Sequence, residues 1–217
     1  MLMTSLVMLI VIGALLTAWG WNRWRDFFAH PARCAIIAVF LIRFAHSATR
    51  LHPNMISKGI DKKRVRERGF FSLLYLGGLV VLASPYFDAN RLWLLPGGDV
   101  IRYLGLALFV FGLGLAHAAQ AHLGRFFSGH VTLQTDHRLI TNGPFTVIRH
   151  PRYAGLMMFF LGLALVFRSA VGVGAGVFCA LLFLGRIRRE DALLAREFGD
   201  EWAAYSQRTK RLLPGIY

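Results

Sequence analysis

Six apolar runs constrain this chain more than any other feature, at about residues 4–21, 32–47, 70–87, 99–121, 153–168 and 169–186. Lipid offers no partner to a backbone N–H or C=O, so runs of this kind must close their hydrogen bonds within themselves as helices. A full crossing takes roughly 20 residues. The fourth run meets that length, while the second is short and carries Arg43, and the last two are short as well. The reading is an all-α, polytopic integral membrane protein with five to six transmembrane helices. The 56% apolar composition and mean hydropathy of +0.50 agree. The first 22 residues lack a basic leader and a small-residue cleavage site, so they read as a retained span.

The formal charge of +14 at first suggests nucleic acid. Its distribution argues otherwise, because the bases gather in short loops between apolar runs. Loop 47–69 carries Arg50, Lys58, Lys62, Lys63, Arg64, Arg66 and Arg68 against Asp61 and Glu67. Loop 122–152 carries Arg125, Arg138, Arg149 and Arg152 against Asp136, and the tail is also positive. Connection 88–98 holds only Asp88 and Arg91 as charged residues. The positive-inside rule puts the first two loops and the tail in the cytoplasm and 88–98 outside. Arg23, Arg25 and Arg33 conflict with six full crossings, a conflict that disappears if one of the first two runs does not cross.

Between Tyr153 and Gly185 the one charged residue is Arg168. Arg168-Ser169 divides this stretch into arms of nearly equal length, which predicts a helical hairpin. Its open ends then lie together, bringing Arg149, His150, Pro151 and Tyr153 against Arg186, Arg188, Arg189, Glu190 and Asp191. Pro151 suits the first position of a helix, whose free N–H groups favour an anion. Arg186 and Glu190 are four apart and share a helix face. The bland alternative is a set of interfacial anchors and a solvated ion pair. Beyond it, Leu194, Phe198, Trp202 and Tyr205 recur at helical spacing among charges, an amphipathic helix expected along the membrane surface and weakened by Gly199.

Other features read as structural. Gly172, Gly174 and Gly176 lie within an apolar arm with no strand before them, so they serve close helix packing and not a dinucleotide. His117 and His122 are not spaced as ligands on one helix face, His130 and His137 lie in a loop, and Cys34 and Cys179 form no pair. No metal site or disulfide framework follows.

The stretch "LGRFFSGHVTLQTDHRLITNGPFTVIRHPRYAG", a hairpin, and then "RIRREDALLAREFGDEWAAYSQRTKRLLPGIY" resembles the isoprenylcysteine carboxyl methyltransferase family, allied to membrane phospholipid methyltransferases. The likeness covers residues 123–217 and loosely the span before them. It divides the single membrane domain 1–217 into N-terminal helices, 1–121, and a cofactor-binding part, 122–217. The resemblance implies S-adenosylmethionine held by His137, Leu139, Gly143, Phe145, His150, Pro151, Tyr153 and Glu190, with Arg186 and Glu190 as the catalytic pair. It also implies a lipid-like or prenylated acceptor bearing a carboxylate, thiol or amine, and membrane lipids as surroundings. No nucleic acid and no obligate protein partner is expected. The expected setting is a bacterial inner membrane, with the site facing the cytoplasm. Asp191 stands where a second glutamate is usual, and Phe145 where tyrosine is common. The acceptor is expected to enter between the hairpin and span 99–121, where Gly105, Gly112 and Gly114 permit close approach. Rival readings are an NADPH-dependent reductase of the sterol-reductase type and a membrane scaffold with a basic, lipid-binding face.

Overall fold

The computed structural model describes residues 2–49, 61–64, 67, 69–128, 130, 132–134 and 138–215. Each of the six apolar runs is helical. Helix α1 is Leu2–Trp19; a turn and the short α2, Trp24–Phe28, lead into α3, Pro31–Thr49. Helices α4, Phe70–Leu82, and α5, Ser84–Ala89, follow in close succession, then α6, Gly98–Leu123. The hairpin is α7, Pro151–Val166, and α8, Ala170–Arg208. A short antiparallel ribbon of β1, Asp61–Arg64, and β2, Thr132–Gln134, joins the two basic loops at one end of the bundle.

By length and composition, Phe70–Ala89, Gly98–Phe126 and Ala170–Arg208 can each cross a bilayer. A fourth candidate is the pair Trp21–Phe28 and Pro31–Ala45, bent by 104°. Leu9–Trp19 and Pro151–Val166 are apolar but shorter. The bend bears on the arginines that fit six crossings poorly. Arg23 donates to the Ala89 carbonyl and, at 3.4 Å, to Asn90 Oδ1, and Arg33 lies 3.4 Å from Asp88. Asp88 is buried and takes both Nη atoms of Arg102, at 2.6 and 2.7 Å. Arg23 and Arg33 therefore sit at the 88–98 end. There Asp88 and backbone oxygens compensate charges that could not otherwise be buried.

The hairpin turns where expected. Phe167 closes α7, Arg168 takes a positive φ of 51°, and the Ser169 hydroxyl caps α8 by accepting from Gly172 N–H at 2.9 Å. Arg168 is held by the Leu95 carbonyl, which ties the turn to the 88–98 loop. Helix α7 packs most intimately on α6, through glycines. A Cβ on Gly112 would stand 2.6 Å from the Gly155 carbonyl, and one on Gly162 would stand 2.4 Å from Phe109 N. Gly105 meets Val166 N at 2.6 Å in the same way. Backbone thus lies on backbone along the whole seam, with no gap for an acceptor; Gly114 faces open space. Gly172 and Gly176 serve close packing against Ser84, Ala164 and Leu161, whereas Gly174 has no neighbour.

Around the seam, Phe27, Ile36, Phe40, Phe109, Leu163, Val166 and Phe167 form one core. A second, nearer the ribbon, gathers Phe70, Ile148, Tyr153, Phe183, Ile187 and Leu212. The second core carries the polar end of the hairpin.

Candidate active site

The two arms of the hairpin bring their polar ends together because α7 starts and the apolar part of α8 stops at the same level. Pro151 occupies the first position of α7, and its missing N–H costs nothing there. His150, just before it, is buried, and its Nε2 lies 2.7 Å from Asp191 Oδ1. The other Asp191 oxygen accepts from Arg211 Nε at 2.7 Å. One turn into α7, Tyr153 donates its phenol to Glu190 Oε2 at 2.5 Å. Two side-chain bridges thus span the hairpin mouth, and both acceptors sit on α8.

The tail completes the enclosure. Gly199 adopts φ 47° and ψ −118°, which breaks α8 and folds its last turns back. The amphipathic stretch turns the buried Trp202 and Tyr205 onto the loop before α7, where Tyr205 donates to the Phe145 carbonyl at 2.8 Å. Arg149 lies over the Trp202 ring and donates to the carbonyls of Ser206 and Thr209. Beyond that the chain runs parallel to the loop, so that Arg149 N–H and His150 N–H donate to the Lys210 and Arg211 carbonyls at 2.7 and 3.0 Å. Buried donors of the loop are satisfied by the tail, which makes the C-terminal residues part of the site's wall.

Between these elements lies a cavity of about 860 Å³, counting its open mouth. One side is polar, with His150, Arg149, Arg152, Tyr153 and Glu190. The other is apolar, with Leu123, Phe126, Phe127, Leu139, Ile140, Leu193 and Leu194. Phe145, Trp202 and Tyr205 add aromatic surface, and Arg152 stacks on Phe127 with its guanidinium carbon 4.6 Å from the ring centre.

Of the residues singled out in the sequence, Leu139, Phe145, His150, Tyr153 and Glu190 line this cavity together. His137 lies outside the described residues. Pro151 is buried in the helix start and shapes the wall without lining it. Gly143 does not line the cavity either. Its φ is 59°, and a Cβ there would stand 2.1 Å from His122 Nε2, so it lets the loop close over α6. Arg186 is buried behind the Tyr153 ring, off the cavity. Its Nε is 3.2 Å from Glu67 Oε1, and its guanidinium carbon lies 4.7, 5.3 and 5.7 Å from the ring centres of Phe70, Phe71 and Tyr153. Glu67 Oε2 in turn is 3.5 Å from His130 Nδ1.

Sequence reasoning missed Glu67, the partner role of Asp191, and Arg211. Glu67 counted, with Asp61, only as an offset to loop charge, although an acid set among bases two residues before the N-cap of α4 is a signal in itself. Asp191 stood out as a departure from a pattern, and in the fold its shorter side chain reaches His150 and Arg211 at once. Among the described residues, no three His, Cys, Asp or Glu side chains converge as metal ligands.

The phospholipid methyltransferase family model matches residues 100–201, the span from α6 to the Gly199 kink. A cobalt-zinc-cadmium resistance protein, CzcN, of Cupriavidus metallidurans is 32% identical, over 76% of this chain and 72% of its own length. The probable protein-S-isoprenylcysteine O-methyltransferase of Oryza sativa subsp. indica is 28% identical, over 54% of this chain. The human protein-S-isoprenylcysteine O-methyltransferase is 30% identical, over 52%.

The chain belongs to the isoprenylcysteine carboxyl methyltransferase-like family of integral membrane methyltransferases. The matches span 62% of the rice relative and 40% of the human one. A eukaryotic intramembrane Ras methyltransferase has the same fold, with a TM-score of 0.61 at 18% identity, over 93% of this chain and 74% of that one. Methyl transfer is the chemistry of this family, which sets aside the nicotinamide-dependent reductase and the scaffold.

Proposed function

We propose that the protein transfers a methyl group from S-adenosylmethionine to a lipid-like acceptor at the cytoplasmic face of a bacterial inner membrane. The observation that carries this reading is the Tyr153–Glu190 bridge across the hairpin mouth, with a half-polar, half-apolar cavity against it. The cofactor is a zwitterion attached to a nucleoside and a sulfonium. The residues present suit each part: Glu190 would meet the cationic groups, Arg152 and the α7 start would meet the carboxylate, and Phe145, Trp202 and Leu139 would offer surface to the base.

Bound there, S-adenosylmethionine would supply an electrophilic methyl carbon. The protein's part is to hold the acceptor's nucleophile in line with it and to keep water out. Tyr153 fixes the Glu190 carboxylate, and Glu190 can accept the proton of an acceptor that carries one. His150, clamped by Asp191, keeps the helix start open toward the cavity. Arg186 works from behind, holding the Tyr153 ring through its face and meeting Glu67 through Nε. The apolar wall from Leu123 to Phe127, together with Leu193 and Leu194, suits an acceptor with a hydrocarbon body.

Calorimetric titration of the purified protein in detergent tests this function. S-adenosylhomocysteine is expected to bind and NADPH to give no heat. Absence of any heat from S-adenosylhomocysteine overturns the reading.

A further inference from the structure

The 88–98 end of the bundle, opposite the hairpin mouth, carries a surface that the proposed reaction does not use. The chain has five tryptophans. Trp19 and Trp202 are buried, and the three exposed ones, Trp21, Trp93 and Trp24, all stand at this end, 76%, 70% and 53% exposed. Helix α2 buries one face only. Its Phe27 meets Trp19 and Phe167, with ring centres 5.7 and 6.0 Å away, while Trp24 and Phe28 are exposed. Arg25 and Arg91 flank these rings and are exposed as well, Arg25 with its guanidinium carbon 5.4 Å from the Trp24 ring centre. The segment Trp21–Phe28 is bent by 104° from Pro31–Ala45, so it runs across the direction of a span and not along it. Two contacts fasten this surface to the hairpin turn. Phe27 packs on Phe167, and the Trp93 carbonyl accepts from Ala170 N–H at 3.1 Å.

We propose that Trp21, Trp24 and Trp93, with Arg25 and Arg91, dock in the headgroup–acyl boundary of the leaflet opposite the site and pin the hairpin turn there, so that the length of α7 sets the depth of the hairpin mouth. The docking rests on the fold; its bearing on the site rests on the methyltransferase reading above. Three bare indoles make a poor surface for water. Hydrocarbon is no better, because the indole N–H groups and the two arginines would lose their partners there. The boundary satisfies both needs. The rings lie among acyl carbons, their N–H groups reach water, and each guanidinium pairs with a lipid phosphate. With the turn held at that level, the 16 residues of α7 extend inward. At about 1.5 Å per residue they reach roughly 24 Å, and tilt only shortens that reach. The hydrocarbon core is about 30 Å thick. Pro151 and Tyr153 therefore stop a few ångströms short of the far boundary, within reach of an acceptor that keeps its hydrocarbon body in the bilayer.

The test reads tryptophan fluorescence of the full-length protein in nanodiscs of phosphatidylcholine and phosphatidylglycerol, with lipid brominated either near the headgroup or near the end of the acyl chain as quencher. The wild type needs no substitution for this and is expected to be quenched more strongly by the shallow bromines. Replacing Trp21, Trp24 and Trp93 by phenylalanine leaves the two buried tryptophans and should remove most of that quenching. Depth is read separately, in a background without Cys34 and Cys179. A cysteine at the exposed Val147, just before α7, should react with a water-soluble maleimide more slowly, by several-fold, as the acyl chains of the disc are lengthened. Strongest quenching by the deep bromines makes α2 half of a broken span and overturns the proposal. Quenching by aqueous iodide in place of lipid bromine, or shielding of the three rings by a protein partner, overturns it too, as does a Val147→Cys rate that ignores bilayer thickness. S-adenosylhomocysteine titrated into the same discs tests the methyltransferase reading on its own: shallow quenching without that heat supports the docking and strikes the reading.

Discussion

His150 and Asp191 meet at 2.7 Å across the open end of the hairpin, and Arg211 from the tail closes on the same carboxylate. One short acid thus joins three parts of the chain: the start of α7, the body of α8 and the segment after the Gly199 kink. A glutamate in its place would be one methylene longer than these distances allow without shifting a partner.

Removing His150 should therefore weaken cofactor binding. His150→Ala leaves Asp191 with Arg211 alone and opens the wall beside the α7 start. Losing a buried, charge-assisted hydrogen bond costs about 1.5–3 kcal/mol, or roughly tenfold to a hundredfold in affinity. Titration with S-adenosylhomocysteine measures this, and an unchanged affinity would mean that His150 is only a packing residue.

Arg186 should behave differently. It lies off the cavity, so Arg186→Ala should leave S-adenosylhomocysteine affinity almost unchanged while lowering turnover. Arg186→Lys should also fail, because a point charge cannot face three rings and present Nε to Glu67 as a planar guanidinium does. Transfer of labelled methyl into a membrane lipid extract at saturating cofactor is the measurement. A lysine variant with normal turnover would reduce Arg186 to an interfacial anchor.

The α6–α7 seam makes a stability prediction. Gly155→Val puts a Cβ 2.5 Å from the Gly112 carbonyl, where only backbone can yield, and should destabilise by at least about 1–3 kcal/mol as overpacking does. Gly114→Ala, with nothing within 4 Å, should be neutral or stabilising by about 0.5–1 kcal/mol through helix propensity. Thermal unfolding in detergent compares the two directly. Equal midpoints would contradict backbone contact along the seam.

Orientation can be read by labelling. In a background without Cys34 and Cys179, a cysteine at Asn90 should react with an impermeant reagent applied to intact cells. One at Lys62 should not, since loop 47–69 shares its end of the bundle with the site. The reverse pattern would turn the protein over in the membrane.

Much of the fold was legible in sequence because its information is local. An apolar run declares a helix by its own length, a polar pair at Arg168-Ser169 declares a turn by interrupting it, and Pro151 declares a helix start by lacking an N–H. These also placed His150, Tyr153 and Glu190 at one hairpin mouth, since two arms of equal length must end at the same level. Tertiary structure alone decided the rest. The acceptor route expected along Gly105 and Gly112 is closed, because small residues on α6 met small residues on α7 and the backbones came into contact. The resemblance pairs Arg186 with Glu190, and the fold sets Arg186 among three rings and Glu67, off the cavity that Glu190 lines. No spacing rule links Glu67 to Arg186, or Arg211 to Asp191, because each pair meets only after separate helices have packed. The apolar pattern determines which segments enter the bilayer. Which charges then share a site depends on how those segments pack, since a buried charge must find its partner wherever the fold leaves one within reach.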